Sequence, residues 1–452
     1  MRGRSGLKPG HWISSWLQPL IVWPAAAMVL LTGVPTAQAV STPPSVAGWI
    51  RNNATVLGTT DPAAPLCDLA PLAGSIGHAE IVGLGESVHG AAEEETLKLR
   101  TLRFLVERMG FRSIAWEEDW TTGLRVDQYI RTGKGNPDTL VRQMSPQWQS
   151  RQVAGVLRWL RDYNAGHAAK VRFTGVEYYL TGPVAYDVID AYVARTAPQR
   201  LPDLRRHLRA IRPATADIYR HIAWYLSVPD KRPYLRHARQ VYALLNRLPP
   251  RAGDRNYALA RHAAGQIVSF YEHYRLPQPP ASDSLVYRDA HAARNLRWWQ
   301  ELTGDKIVYW AASAHTANAP RLRIAVPPGP DWHYPTAGSY LRRWYGQRYV
   351  SIGFTGDSGT VSLGPEGTKA LPPSAPDWFE YPLAQAGLGQ FAVDLRTPAP
   401  PSVRSWLHSP VKTRGFPDRG PGSFMAGGTL ARWFDVIVHR QELTPAQPEA
   451  DS

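Results

Sequence analysis

A carboxylate and an imidazole three residues apart, Glu86 and His89, sit in Gly85-Glu86-Ser87-Val88-His89-Gly90, at the end of the apolar run Ile81-Val82-Gly83-Leu84. A histidine held by a carboxylate acts as a general base on water, the carboxylate fixing its tautomer and favouring the imidazolium. Hydrolysis of an ester uses such a base. Three more apolar runs end in residues of the same kind. Phe111–Trp116 ends at Glu117, Lys170–Val176 ends at Glu177, and Lys306–Trp310 leads to His315. Singly, each is an ordinary polar residue of a helix-entry loop. Together they are expected to converge, because parallel strands end at one edge and α/β proteins place their chemistry there.

Other chemistries fit less well. The nucleophile-elbow pattern G-x-S-x-G is missing around Ser87, since His89 occupies the second glycine position. Gly356-Asp357-Ser358-Gly359 resembles a trypsin-type nucleophile sequence, but its serine follows His315 by only 43 residues on an α/β pattern, and the likeness is taken as accidental. No H-E-x-x-H and no cysteine cluster are present. His89 and His315 with Glu86 or Glu117 could still bind a metal, so a metal-dependent hydrolase remains a rival. Lys98 is a candidate cation for an oxyanion, and an ion pair with Glu94 at i,i+4 explains it equally well.

The elements that must position these residues alternate. The Ile81 strand is followed by an amphipathic helix over Ala91–Met109, closed by Gly110. The second strand leads to helices at Thr122–Thr132 and Arg151–Ala165. After the third strand, helical stretches at Val184–Arg195, Asp217–Leu226, Leu235–Asn246 and Ala258–Tyr274 show no intervening strand. A helix over Ser284–Leu302 leads into the fourth strand, and Tyr349–Phe354 reads as a fifth. The C-terminal third reads as Pro-rich loops with a last strand near Val436–Val438. The alternation predicts an α/β fold with a largely parallel central sheet flanked by helices. The predicted divisions are a core first part over 40–180, an inserted all-helical subdomain over 181–280, a core second part over 281–443 and a disordered tail over 444–452.

The chain of 452 residues is 44% hydrophobic, enough for a sizeable core. Its net charge of +14 is spread without a run of five basic residues, which argues against a nucleic-acid partner. Residues 1–39 read as a secretory signal peptide. Arg2, Arg4 and Lys8 form a basic start, Leu20–Leu31 is apolar and broken by Pro24, and Ala37-Gln38-Ala39 is a cleavage site. The mature chain is expected to be secreted, without a membrane span. Cys67 is the only cysteine, which excludes an intrachain disulfide.

Several ordered motifs carry a resemblance. Gly85–Gly90, Lys98, Leu102-Arg103-Phe104-Leu105-Val106, Gly110-Phe111 and Ala115-Trp116-Glu117 resemble the erythromycin esterase family. The likeness continues through Gly175-Val176-Glu177, Arg288-Asp289 with Asn295, Trp310 to His315, and Tyr349 to Phe354. It implies an α/β core, a helical subdomain over the cleft, and a hydrolase that opens macrolide lactones by water attack. The proposed base of the family matches His89, assisted by the carboxylate matching Glu86, and other site positions match Lys98, Glu117 and His315. The departure is Ala312, where family members commonly carry the first histidine of an A-H-x-A-H pattern.

The expected catalytic residues are therefore His89, Glu86, Glu117 and His315. Lys98, Glu177, Arg288 and Trp116 are expected to bind substrate. Trp116, Trp120, Trp148 and Tyr178 either line the cleft or pack the core. The expected partner is a small-molecule ester or lactone. No cofactor is expected, and the oligomeric state is left open. A non-catalytic ligand-binding protein is the rival from another class.

Overall fold

The computed structural model describes residues 44–249, 253–276, 281–420 and 422–448. The expected signal peptide lies outside them. Six strands form the parallel body of the central sheet: β1 (Ile81–Glu86), β2 (Ser113–Asp119), β3 (Arg172–Glu177), β4 (Ile307–Ala312), β5 (Tyr349–Ser362) and β6 (Val436–Leu443). Their spatial order is β6-β5-β1-β4-β2-β3. Gln390–Asp394 adds antiparallel to β6, and Thr55–Val56 closes that edge. All six residues of β1 are buried. Strands covered on both faces read as continuous apolar runs rather than alternating ones, which is why β1 to β4 were visible in the sequence.

The flanking helices begin and end where their local chemistry dictates. Helix α1 (Ala92–Met109) has three glutamates in its first turn, where the helix dipole favours negative charge, and stops at Gly110 with φ 75°. Helix α2 (Trp120–Thr132) starts at Asp119, whose side chain accepts from Thr121 N. Helix α3 (Arg151–Gly166) starts at Ser150, whose hydroxyl accepts from Val153 N. Helix α4 (Ser282–Thr303) ends at Gly304 with φ 69°, and α5 (Ala337–Tyr345) follows β4.

Between β3 and β4 the described residues form helices at Pro183–Thr196, Leu201–Ile211, Ile218–Ser227, Arg232–Asn246 and Arg255–His273. They bury their own apolar cluster, which includes Tyr186, Leu204, Tyr225, Leu245 and Tyr271. The helix Leu201–Ile211 has no counterpart among the helical stretches expected from the sequence.

Two expectations for the C-terminal third fail. In place of Pro-rich loops, a second sheet of four antiparallel strands is present: Pro410–Arg414, Phe424–Thr429, Leu322–Ile324 and Trp332–Tyr334. Two of these strands have three residues each, too few to show an alternation. The tail expected to be disordered is tied down as far as it is described. Thr444 donates from N and Oγ1 to Glu93, Ala446 N donates to Gly90 O, and Arg151 N donates to Gln447 O. Backbone pairing of this kind leaves no apolar signature, so composition alone suggested a loose end.

Candidate active site

The Glu86 carboxylate ends β1 and the next four residues turn back toward α1. Gly90 adopts φ +77°, and a Cβ there would stand 2.1 Å from Ser362 O. Only glycine lets this turn lie against the end of β5. Glu94, in the first turn of α1, accepts from Ser87 N at 3.0 Å and Ser87 Oγ at 2.6 Å. Burial pushes the Glu94 carboxyl up to about 8, against those hydrogen bonds. The turn carrying His89 is thus clamped from both sides.

His89 Nδ1 lies 3.0 Å from Glu86 Oε1, in ion-pair range but without the alignment of a hydrogen bond. Such misalignment is common at catalytic pairs before substrate binds. Glu86 is buried, whereas the His89 side chain keeps 33% exposure. The second Glu86 oxygen contacts Lys98 Nζ, which is wholly buried and lies 4.3 Å from the centre of the Trp310 ring. Burial lowers Lys98 well below its ordinary value, opposed by Glu117. Burial of its inner edge is also what lowers the His89 pKa; Glu117 opposes this and His315 adds to it. A lowered imidazole pKa leaves a neutral ring able to take a proton.

The ends of β2, β3 and β4 supply a second cluster, paired except at Glu177 Oε2. Burial alone would raise Glu117, but His315 and Arg288 hold it well below the usual carboxylate range. Its Oε1 accepts from Arg288 Nη2 at 2.7 Å and lies 3.3 Å from His315 Nε2. Its Oε2 accepts from Ala312 N at 2.9 Å. Arg288 Nε donates to Glu177 Oε1 at 2.9 Å. His315 Nδ1 meets Asp289 at 3.0 Å. Burial would depress His315, yet Asp289 and Glu117 raise it to about 10. His315 is therefore a standing imidazolium that orders Glu117, not a proton acceptor at neutral pH. Glu86, His89 and Glu117 also bring one ligand atom each to within 4.8 Å of one another, a grouping that could hold a metal ion.

The His89 turn opens into a cavity of ≈ 310 Å³. Its walls come from the loop Pro146–Ser150, Ala312 and Ala314, the end of β5 with Leu363 and Gly364, the small antiparallel sheet at Phe416 and Met425, and the tail at Ala446 and Pro448. None of its lining residues belongs to the helices between Pro183 and His273. The helical subdomain expected over the cleft does not wall this cavity; the small sheet and the tail do.

Several residues expected to bind substrate are placed elsewhere. Trp116 is fully buried, stacked on Trp310 at 4.3 Å between ring centres and edge-on to Trp148 at 5.4 Å. Lys98 has no exposed surface and its partner is Glu86, so it neither meets an oxyanion nor pairs with Glu94. Glu177 is wholly buried against Arg288, which itself keeps 17% exposure. Trp120 belongs to the core of the helical subdomain and Tyr178 is buried against His273. Of the four aromatic candidates, only Trp148 approaches the base, its ring edge-on to His89 at 4.9 Å. Ser358 lies within β5 opposite Glu442 of β6.

Sequence reasoning missed Asp289 as the partner of His315, 26 residues away across α4 and β4. The Arg288-Asp289 pair was visible, but its register against His315 is set by how α4 lies on the sheet. It also missed Glu95, a buried carboxylate of the cavity wall whose only cue was its place in the first turn of α1, just after the His89 turn.

A sequence model of the erythromycin esterase family matches residues 106–443. Erythromycin esterase type II of Escherichia coli is 28% identical over 129 residues, an alignment spanning 28% of this chain and 30% of that protein. A Bacillus cereus protein of known crystal structure superposes with a TM-score of 0.77 at 29% identity, covering 89% of this chain and 98% of that one. A crystal structure described as a succinoglycan biosynthesis protein gives 0.76 at 27% identity, covering 91% and 100%. A mutant of erythromycin esterase EreC in its open conformation shares the fold, with a TM-score of 0.67 at 18% identity over 88% of this chain and 99% of that one. By the span of the family match, the chain is a member of the erythromycin esterase family.

Proposed function

We propose that this protein hydrolyses an ester or lactone of a small, partly apolar molecule with water activated by His89. The observation that carries the reading is the chain of contacts Lys98–Glu86–His89, buried at one end and open to the cavity at the other. Glu86 faces Nδ1, which leaves Nε2 to act on water. Nε2 takes a proton as the water oxygen bonds to the carbonyl carbon. The tetrahedral intermediate then expels the alkoxide, which receives that proton from the imidazolium, giving an acid and an alcohol, or one opened ring from a lactone. Membership of the family, which also contains the Escherichia coli relative, makes macrolide lactones the first class to try. Ala312, with no imidazole where the family resemblance leads one to expect a histidine, leaves the base role to His89. The basic and apolar segments of residues 1–39 support export, and amino-terminal sequencing of material from culture medium should find Val40 first.

The test is turnover of a panel of macrolides and simple esters, read by mass. With a substrate in hand, His89→Asn should lose about 10²–10⁴-fold in rate. Glu86→Gln should lose less, and the double mutant should be no worse than His89→Asn, because the two act as one unit. A folded His89→Asn enzyme with near wild-type turnover would refute the base assignment.

A metal-dependent hydrolase is the second reading, favoured by the three ligand atoms of Glu86, His89 and Glu117 within 4.8 Å. Against it, Lys98 occupies one Glu86 oxygen, and Arg288, His315 and Ala312 N occupy both oxygens of Glu117. Exhaustive chelation should leave the rate unchanged. Loss of activity that one divalent ion restores would establish the metal instead.

A further inference from the structure

The helix Ile218–Ser227 carries apolar residues on both of its sides. Ile218, Ile222 and Tyr225 pack into the core of the helical subdomain, and His221 Nε2 lies 2.8 Å from the Tyr271 hydroxyl. At about 100° per residue, Tyr219, Arg220, Ala223, Trp224, Leu226 and Ser227 fall on the opposite side. All six are exposed. Tyr219 keeps 55% exposure, and Trp224 and Leu226 keep 42% each. A helix that is apolar all round is ordinarily covered all round, and no described residue covers this outward face. Trp224 is held in place there, its ring edge-on to Tyr234 at 5.2 Å and 5.0 Å from that of His221.

The charge around this helix is one-sided. No run of basic residues marks it, yet residues 181–280 hold sixteen lysines and arginines against seven aspartates and glutamates, so nine of the chain's +14 lie there. The acids nearest the helix are already engaged. Asp217 caps it by accepting from Tyr219 N and Arg220 N, Asp230 pairs with Arg232, and Glu272 pairs with Arg239. Arg220, Arg236 and Arg275 are exposed and have no ion pair among the described residues. Arg220 stands on the outward face itself, the charge of Arg236 is felt at Asp230, and that of Arg275 is felt at Tyr225.

We propose that the outward face of the helix Ile218–Ser227 docks the protein on an anionic lipid membrane surface. Tyr219 and Trp224, each an apolar ring with a polar tip, suit the boundary between headgroups and acyl chains. Leu226 adds apolar area, and the unpaired arginines meet the phosphates of anionic headgroups, the pattern of a helix that lies in the interface. No helix among the described residues is long and apolar enough to cross a membrane, so the attachment is to the surface. The proposal does not depend on the hydrolase reading.

The test is co-sedimentation with vesicles of phosphatidylcholine alone and of equimolar phosphatidylcholine and phosphatidylglycerol. It uses Val40–Ser452, the compact unit that contains every described element, because the apolar stretch Leu20–Leu31 would bind lipid by itself. The mixed vesicles should bind the protein about tenfold tighter or more, and added salt should erode the difference. Tyr219→Ser with Leu226→Ser should weaken that binding about tenfold, through lost apolar area. Arg220→Gln should narrow the preference for the mixed vesicles about fivefold. Equal binding to the two vesicles, no binding to either, or binding unaltered in a folded Tyr219→Ser/Leu226→Ser protein would overturn the proposal. Sedimentation velocity without lipid tests a second copy of the chain as the occupant. A monomer supports the proposal, and a dimer that the same double variant dissociates overturns it.

Discussion

A lysine without exposed surface, set against a glutamate that is itself buried, costs desolvation on both sides, and such a pair is kept where geometry matters more than stability. At Lys98 the geometry at stake is that of Glu86, whose other oxygen faces His89. With Lys98 in place, Glu86 divides its charge between ammonium and imidazole. Lys98→Met should give His89 the whole carboxylate and so raise the His89 pKa. The acid limb of the pH–rate profile should then move to higher pH, whereas a purely structural lysine would change stability without moving that limb. Stability should also fall by about 3–5 kcal/mol, the usual cost of stranding one partner of a buried pair. The Glu86-x-x-His89 spacing was legible in the sequence because four residues of one turn need no tertiary information. That Lys98 would turn inward to Glu86 rather than along α1 to Glu94 was not, because both partners lie within its reach.

The sheet positions its elements partly through backbone approaches that only glycine permits. A Cβ on Gly123 of α2 would stand 2.2 Å from Gly175 N of β3, and one on Gly175 would stand 2.3 Å from the carbonyl oxygens of Glu118 and Asp119. These contacts set α2 directly on the edge of the sheet that carries Glu117 and Glu177. Helix propensity alone argues that Gly123→Ala should stabilise α2 by about 1 kcal/mol. The overlap with rigid backbone argues the other way, and overpacking of this kind costs about 1–3 kcal/mol net. Denaturant unfolding should show Gly123→Ala destabilised by that amount; a more stable variant would mean that α2 does not sit so close. Strands β1 to β4 were readable as buried apolar runs of about six residues. The small antiparallel sheet was not, because its short strands draw their partners from residues 322–334 and 410–429, far apart in the chain.

The molecule buries two sets of titratable groups whose effects on stability run in opposite directions. Burial raises Glu94 and Glu118 to about 8, and Glu95, Asp119 and Glu380 to about 7. Burial lowers His221, His273, His291 and His439 to about 4, and His262 to about 3. Above the ordinary glutamate value of 4.5, the native carboxyls keep protons that the unfolded chain releases. Below the ordinary histidine value of 6.5, the native histidines lack protons that the unfolded chain binds. Between those two values the sets offset each other. Above 6.5 the native state holds the extra protons, including that of His315 up to about 10, so stability falls as pH rises. Below 4.5 the unfolded state holds more, and stability falls as pH drops. Thermal unfolding from about pH 3 to about pH 10 should therefore show a plateau of Tm between roughly 4.5 and 6.5 with losses on both sides. A Tm that climbs steadily from pH 5 to pH 9 would contradict this balance.

Local patterns in the sequence determined the parallel α/β core, the helical stretch between Glu177 and Ile307, and the pair Glu86 and His89. Each depends on residues close together in the chain: an apolar run, a helical period, one turn. The family likeness could also be read from ordered short motifs. Tertiary structure alone decided which charges meet. Asp289 finds His315, and Arg288 bridges Glu117 and Glu177, because α4 lies across the ends of β2, β3 and β4. It also decided that Trp116 faces inward and that the cavity is walled by the small sheet and the tail rather than by the helical subdomain. Burial is a property of what packs on a residue from elsewhere in the chain. Packing raises Glu95 and lowers His89 by burial, and at His315 it brings Asp289 and Glu117 close enough to override burial, so the protonation states behind the proposed chemistry follow from the folded chain.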